Sequence, residues 1–224
     1  STVLVGDVTS IDLSQLSTLE LGGDVDLTVA QAHAFAGLIN TNGHSITILE
    51  TANAILARPS LTDISGYALS EDASITLNDA KSLASLSGIN QNGKMLTLSD
   101  AATIADLVDV AGIPGGGVDY LYPSTIEDSQ SNLWDGGDVQ DLSQSGSVSG
   151  FIKPGTNVTV TGAATIAGHD LQGVATIAAL NAIDLANGDG SVSYQTIFDN
   201  WWNVANGAVD STDIVVSPWA SWGT

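Results

Sequence analysis

LTVAQAHAFAGLINTNGHSITILETANAIL, residues 27–56, is answered fifty positions later by LNDAKSLASLSGINQNGKMLTLSDAATIAD, residues 77–106, with no gap needed to align them. Leu27 falls on Leu77, Ala30 on Ala80, Ile39 on Ile89 and Asn40 on Asn90. Asn42 and Gly43 fall on Asn92 and Gly93, Thr47 on Thr97 and Ala52 on Ala102. A fixed internal period of this size marks architectures whose units cannot bury their apolar side alone and must stack on a neighbour. The chain therefore reads as a stacked structural or binding protein and not as a pocket enzyme.

The repeat has a finer grain. LTLSDAATIADL at 96–107 echoes ITLNDAKSLASL at 75–86, twenty-one residues earlier. AATIA at 101–105 returns at 163–167, and ATIAAL at 175–180 differs from ATIADL at 102–107 at one position. In ITL at 75–77 and LTL at 96–98, apolar residues alternate with threonine, a strand signal. Asn78 and Asp79 follow the first, and Ser99 and Asp100 the second. Such residues accept hydrogen bonds from the free N–H groups of a first helical turn, so each strand is expected to end in a helix cap. Asn42-Gly43 and Asn92-Gly93 are turn dipeptides. Alternating strands and helices call for parallel pairing through crossovers.

The expected fold is thus an α/β repeat solenoid with a parallel sheet and short helices, plus a strand-rich C-terminal part. Leu27, Ile48, Leu77 and Leu98 are expected to be buried in successive rungs of one sheet. Residues 1–113 read as solenoid repeats. Residues 114–156 read as an aromatic loop or insertion followed by strands, because Pro114 and the glycines at 115–117 break the pattern and 114–137 shows no period. Residues 157–224 read as further repeats with a tryptophan-rich end. There, Asp213 to Ser217 has the β-branched run of a strand, and the tail from Ser211 is expected to contact a second copy through an open sheet edge.

Composition narrows the function. The 224 residues are 43% hydrophobic and 13% charged, which suits a folded chain and not an acidic disordered tail. Twenty-five acidic groups face four basic ones, Arg58, Lys81, Lys94 and Lys153, for a net charge of −21. That field opposes nucleic acid and anionic membranes and suits divalent cations, high salt or simple solubility. No apolar run approaches the roughly 18 residues that span a bilayer, so no membrane insertion is expected. There is no cysteine, so disulfides and thiol chemistry are excluded.

The ITLNDAKSLASL and LTLSDAATIADL units resemble the short strand-helix repeats of large secreted bacterial surface proteins, the adhesin and S-layer-like group. The likeness covers 24–112 and, more loosely, 157–185. It implies a noncatalytic, secreted or cell-surface structural or adhesive protein, capable of self-assembly, in a calcium-rich setting. Its partners would be further subunits of the same kind or surface glycans.

Calcium is the cofactor the side chains themselves suggest. Asn187, Asp189, Ser191 and Ser193 stand at alternate positions in NGDGSVS, the spacing of a calcium loop. Position one of that loop would be Leu185, and position twelve Thr196 in place of a bidentate acid. Asp24 and Asp26, and likewise Asp135 and Asp138, set carboxylates near one another beside glycines, where they could bridge a hard cation. Trp134, Trp201 and Trp202 could form a flat platform that stacks on sugar rings, the reading of a calcium-assisted carbohydrate-binding module. A phage fibre or a glycan-degrading enzyme on a repetitive scaffold is the remaining alternative, and it would need acids clustered in a groove.

Catalytic signatures point elsewhere. His33, His44 and His169 have no partner at ligand spacing. GSVSG at 146–150 places Val148 where a nucleophile elbow needs serine. No enzyme activity is expected. If specific cation sites exist, calcium chloride will raise the melting temperature more than sodium chloride of equal ionic strength in differential scanning calorimetry. An equal shift from both salts would assign the effect to screening.

Overall fold

The structure, a computed structural model, describes residues 18–58, 61–134, 149–166, 168–199 and 214–216. The chain is mixed α/β, with parallel sheets and short helices. It divides into two compact units, residues 1–96 with 109–120, and residues 97–108 with 121–224.

In the first unit the strands are β1 (Leu19–Glu20), β2 (Val25–Leu27), β3 (Ile39–Asn40), β4 (Ile46–Glu50), β5 (Gly66–Leu69), β6 (Ala73–Ile75) and β7 (Ile89–Asn90). Three helices alternate with them: α1 (Val29–Ala34), α2 (Ala52–Leu56) and α3 (Leu77–Ala84). β1 pairs with β3, and β2, β4, β5 and β7 form a four-stranded sheet in that order, all parallel. Leu27 pairs with Ile48, Ile48 with Tyr67, and Tyr67 with Ile89. Stacked in register, these apolar side chains fall on one face, and Leu27, Ile48 and Ile89 are buried. Phe35, Ala32 and Leu21 pack into the same core.

Two turns fix where each strand starts. Asn42 and Gly43 both take positive φ, 49° and 84°, as do Asn92 and Gly93, 57° and 65°. This is the geometry expected of Asn-Gly pairs. In each copy the preceding asparagine, Asn40 or Asn90, accepts a hydrogen bond from the backbone of the turn. Asp24 accepts from the Ser45 N–H, and Asp72 does the same for Met95, each at 2.8 Å. Where β5 meets the turn before β7 the backbones touch. A Cβ on Gly66 would lie 2.5 Å from the Gly88 carbonyl oxygen, and Gly88 has φ of +73°. Both positions therefore require glycine.

The second unit takes in most of β8 (Leu96–Ala102) and α4 (Ile104–Ala111), then β9 (Leu121–Ser129), α5 (Gln130–Leu133) and β10 (Asn157–Thr161). These are followed by β11 (Ala163–Ile166), β12 (His169–Gln172), β13 (Val174–Ala175), α6 (Ile177–Asn187), β14 (Val192–Ser193), β15 (Thr196–Phe198) and β16 (Ile214–Val216). One sheet runs β14-β10-β9-β8 and another β13-β15-β16, the latter parallel throughout. β11 and β12 form an antiparallel hairpin.

A threonine joins strand to helix five times. Thr28, Thr51, Thr76, Thr103 and Thr176 each accept a hydrogen bond from the backbone N–H three residues on, at 3.1–3.2 Å. Thr28 with Gln31, and Thr103 with Asp106, complete reciprocal capping boxes. In the second unit a buried carboxylate adds a further cap. Asp128 accepts from Ile104, the first residue of α4, and Asp199 from Ile177, the first residue of α6. A negative charge there complements the helix N-terminus as well as satisfying a free N–H.

These caps correct four expectations. Ile75, not Leu77, ends the strand; Leu77 opens α3 and is half-buried. Asn78 and Asp79 lie in the helix and Ser99 and Asp100 in β8, so the caps are the threonines before or after them. From Thr28 to Ile39 is eleven residues and from Thr76 to Ile89 thirteen, so α3 gains two residues; the fifty-residue alignment holds from Ile39 through Ile48 and is lost again at the next cap, where Thr51 answers to Thr103. Leu27, Ile48, Leu77 and Leu98 accordingly do not line one sheet: Leu27 and Ile48 pair directly, while Leu98 is buried in β8.

The stretch expected as a loop at 114–137 carries β9, nine residues long, and α5. Pro123 hides the alternation of β9 from a reading by residue type, because its buried ring stands where an aliphatic side chain would. Within the tail, Ile214–Val216 pairs in parallel with β15 of the same chain. Trp219 and Trp222 lie outside the described residues.

Truncating Leu98, fully buried in β8, to alanine should cost about 2–5 kcal/mol in urea unfolding. The same change at Leu77 should cost clearly less, because that side chain is half-exposed. Asp128→Ala should fall in the upper part of the usual range, since it strands the N–H groups of Ile104 and Ser129 and the Asn132 amide.

Candidate functional site

The hairpin of β11 and β12 leaves and rejoins its unit through two glycines. Gly162 has φ of +88° and Gly173 φ of +56°. The Gly173 N–H donates to the Gly162 carbonyl at 2.7 Å, and the Gly173 carbonyl accepts from both Gln195 and Thr196 at 3.1 Å. A Cβ on Gly173 would come within 3.0 Å of the Val160 carbonyl oxygen and the Gln195 nitrogen. The base of the hairpin is thereby tied to the backbone that precedes β15.

Two clefts meet at this base and share Thr161 and Gly162. One, of about 320 Å³, draws on Ser129, Gln130 and Ser131, on Ala163 and Ala164 of the hairpin, and on Val174 and Phe198. Its polar groups are largely engaged. The Ser129 and Ser131 hydroxyls are 3.0 Å apart, Gln130 accepts from the Thr176 N–H at 2.7 Å, and Thr176 caps α6. What this cleft offers a ligand is mainly apolar surface.

The other, of about 330 Å³, is lined by Thr159, Thr161, Gln172, Ser193, Tyr194 and Gln195, with Gly173 at its back. The side chains of Thr159, Thr161, Gln172, Ser193 and Gln195 make no hydrogen bond to another described residue. Strand geometry explains the grouping. Val158 and Val160 point to the core, so Thr159 and Thr161 share the outer face. Ser193 pairs with Thr159 in register. On the other side Glu127 pairs with Thr159 and is exposed. Among the described residues, no carboxylate, amine, guanidinium or imidazole lines either cleft.

The residues singled out from sequence lie elsewhere or serve other ends. Asn187 is the last residue of α6 and fully buried; its amide donates to the carbonyls of Thr156 and Ser191, each at 3.2 Å. Its Oδ1 has no partner among the described residues. Asp189 is exposed, Ser191 bonds through its hydroxyl and N–H to Asn157, and Ser193 belongs to the cleft. This segment thus forms the helix end and the start of β14, with Asn187 turned inward as a clamp.

Asp24 holds Ser45 and lies 3.7 Å from the His44 ring, while Asp26 sits exposed on β2 opposite Thr47. Among the described residues no three carboxylates or imidazoles converge on one point. Trp134 ends α5 and is 6% exposed, with its indole N–H unpaired among the described residues. A ring so placed is core, so Trp134 is not part of an exposed platform. Trp201, Trp202, Asp135 and Asp138 lie outside the described residues.

Sequence reasoning missed the cleft residues, although VTVTG at 158–162 already sets two threonines on one face. Compared with known proteins, the chain matches no protein-family model, no curated protein and no solved structure.

Proposed function

We propose that this chain is a noncatalytic structural and adhesive repeat protein of the secreted or cell-surface kind, whose parallel stacks are solenoid rungs able to recruit further copies. The observation that carries the reading is the regular step between paired strands. Val25 pairs with Ile46, Thr47 with Gly66 and Tyr67 with Ile89, steps of 21, 19 and 22 residues. Val174 pairs with Thr196 and Thr196 with Ile214, steps of 22 and 18. Most of these steps contain a strand, a capping threonine and a short helix, which is how a one-dimensional repeat grows.

The surface chemistry agrees. An excess of carboxylates keeps such stacks soluble and suits an exterior rich in calcium. Arg58 and Lys153 are spent internally: Arg58 lies over the Tyr67 ring at 4.4 Å and donates to the Ile55 carbonyl, and Lys153 lies over Tyr122 at 3.9 Å and donates to Leu121. Little positive charge is left to neutralise the field. Calcium would do so between copies.

Sedimentation velocity over a range of protein concentrations, with and without millimolar calcium, tests the proposal. We expect the sedimentation coefficient to rise with concentration, more steeply with calcium, and the associated species to be linear in negative-stain images. A concentration-independent monomer in both conditions would overturn the assembly reading.

A further inference from the structure

We propose that the two clefts at the base of the β11–β12 hairpin form a single binding site for a neutral oligosaccharide. The proposal gives the adhesive reading above a ligand class and rests on it for biological context alone, since binding and assembly are measured separately.

Three features of the clefts select this ligand. First, each cleft, at about 320 and 330 Å³, has the volume of a small-molecule site at the low end of the usual range. They share Thr161 and Gly162, so a ligand of linked units can straddle the saddle between them.

Second, the two clefts are chemically complementary in the way a pyranose is. Ala164, Val174 and Phe198 offer an apolar wall against which the C–H face of a sugar ring packs. Thr159, Thr161, Gln172 and Gln195 offer donors and acceptors that nothing else among the described residues uses. A purely apolar ligand would strip water from those groups without replacing its hydrogen bonds, which is unfavourable. A polyhydroxylated one replaces them one for one.

Third, the described residues that line the two clefts carry no charge, in a chain with twenty-five carboxylates. A cation finds one exposed carboxylate nearby, Glu127 beside Thr159, and among the described residues no cluster of three that could hold it. An anion meets no basic group there, faces Glu127 beside Thr159, and enters the field of a chain of net charge −21. Neutral sugars remain.

The test is a glycan array carrying neutral and uronate-containing oligosaccharides, probed with the full chain, with hits titrated by calorimetry. We expect neutral oligomers to be retained and uronate oligomers not. The monosaccharide of a retained oligomer should bind more weakly than the oligomer, because it fills one cleft. Thr161→Val keeps the β-branched shape and removes the shared hydroxyl, and Gln195→Ala removes an exposed amide. Each should weaken binding about tenfold with the melting curve unchanged. If Thr161→Val does not fold, Gln195→Ala carries the comparison. Retention of no neutral glycan, equal retention of uronates, or unchanged affinity in the folded variants would overturn the site and leave the assembly proposal standing.

Discussion

The hydrogen bond from the third backbone N–H of a new helix back to a threonine hydroxyl is the contact on which the rest of the fold depends. Threonine suits both sides of the junction. Its branched Cβ favours the extended backbone of a strand end, and Thr28, Thr51 and Thr76 all keep φ near −70° with ψ near 160°. Its oxygen then satisfies one of the donors that a new helix leaves free. Each such cap is worth only about 1 kcal/mol. Its larger effect is geometric, because it fixes the residue at which a strand of two to seven residues becomes a helix. With strands this short, an error of one residue would turn the buried side chains outward. Leu27 could then no longer meet Ile48 in the core.

This division of labour explains which features were legible in the residues alone. Parallel pairing, Asn-Gly turns and the alternation of strand with helix follow from local residue preferences, and they could be read directly. The junctions could not, because Thr-Leu-Asn-Asp offers three possible cap residues in four. Propensity ranks Asn and Asp above Thr, yet Thr76 wins because Ile75 must be buried, and that in turn sets the cap one residue later. Tertiary burial decides between local options of similar merit.

The two AATI segments make the same point more sharply. At 101–104 the threonine caps α4, because Asp106 accepts a hydrogen bond from its N–H and Asp128, on β9, accepts one from the next residue. At 163–166 the same letters form a hairpin strand, because Gly168 supplies a left-handed turn residue at φ +82° and Asp170 accepts the Thr165 hydroxyl across the hairpin. Identical segments diverge according to the next few residues of the chain and the side chain that approaches from a distant strand. The distant half of that information is absent from any local window. The buried capping roles of Asp128 and Asp199 were for the same reason invisible, and their carboxylates counted only toward the acidic total.

The candidate site arises where this regularity is interrupted. At five junctions a strand passes through threonine into a helix. After Thr161 the chain meets Gly162 instead, turns out at positive φ, and spends ten residues on a hairpin before Ala175 and Thr176 resume the pattern. With no helix opening directly from β10, the outer hydroxyls of Thr159 and Thr161 stay uncommitted, whereas Thr176, directly after β13, is consumed by its cap. The same side chain that caps a helix when one comes next keeps its hydrogen-bonding groups open when a glycine does. Omitting a single helix thus leaves polar side chains on the outer face of a strand, without introducing a charged residue.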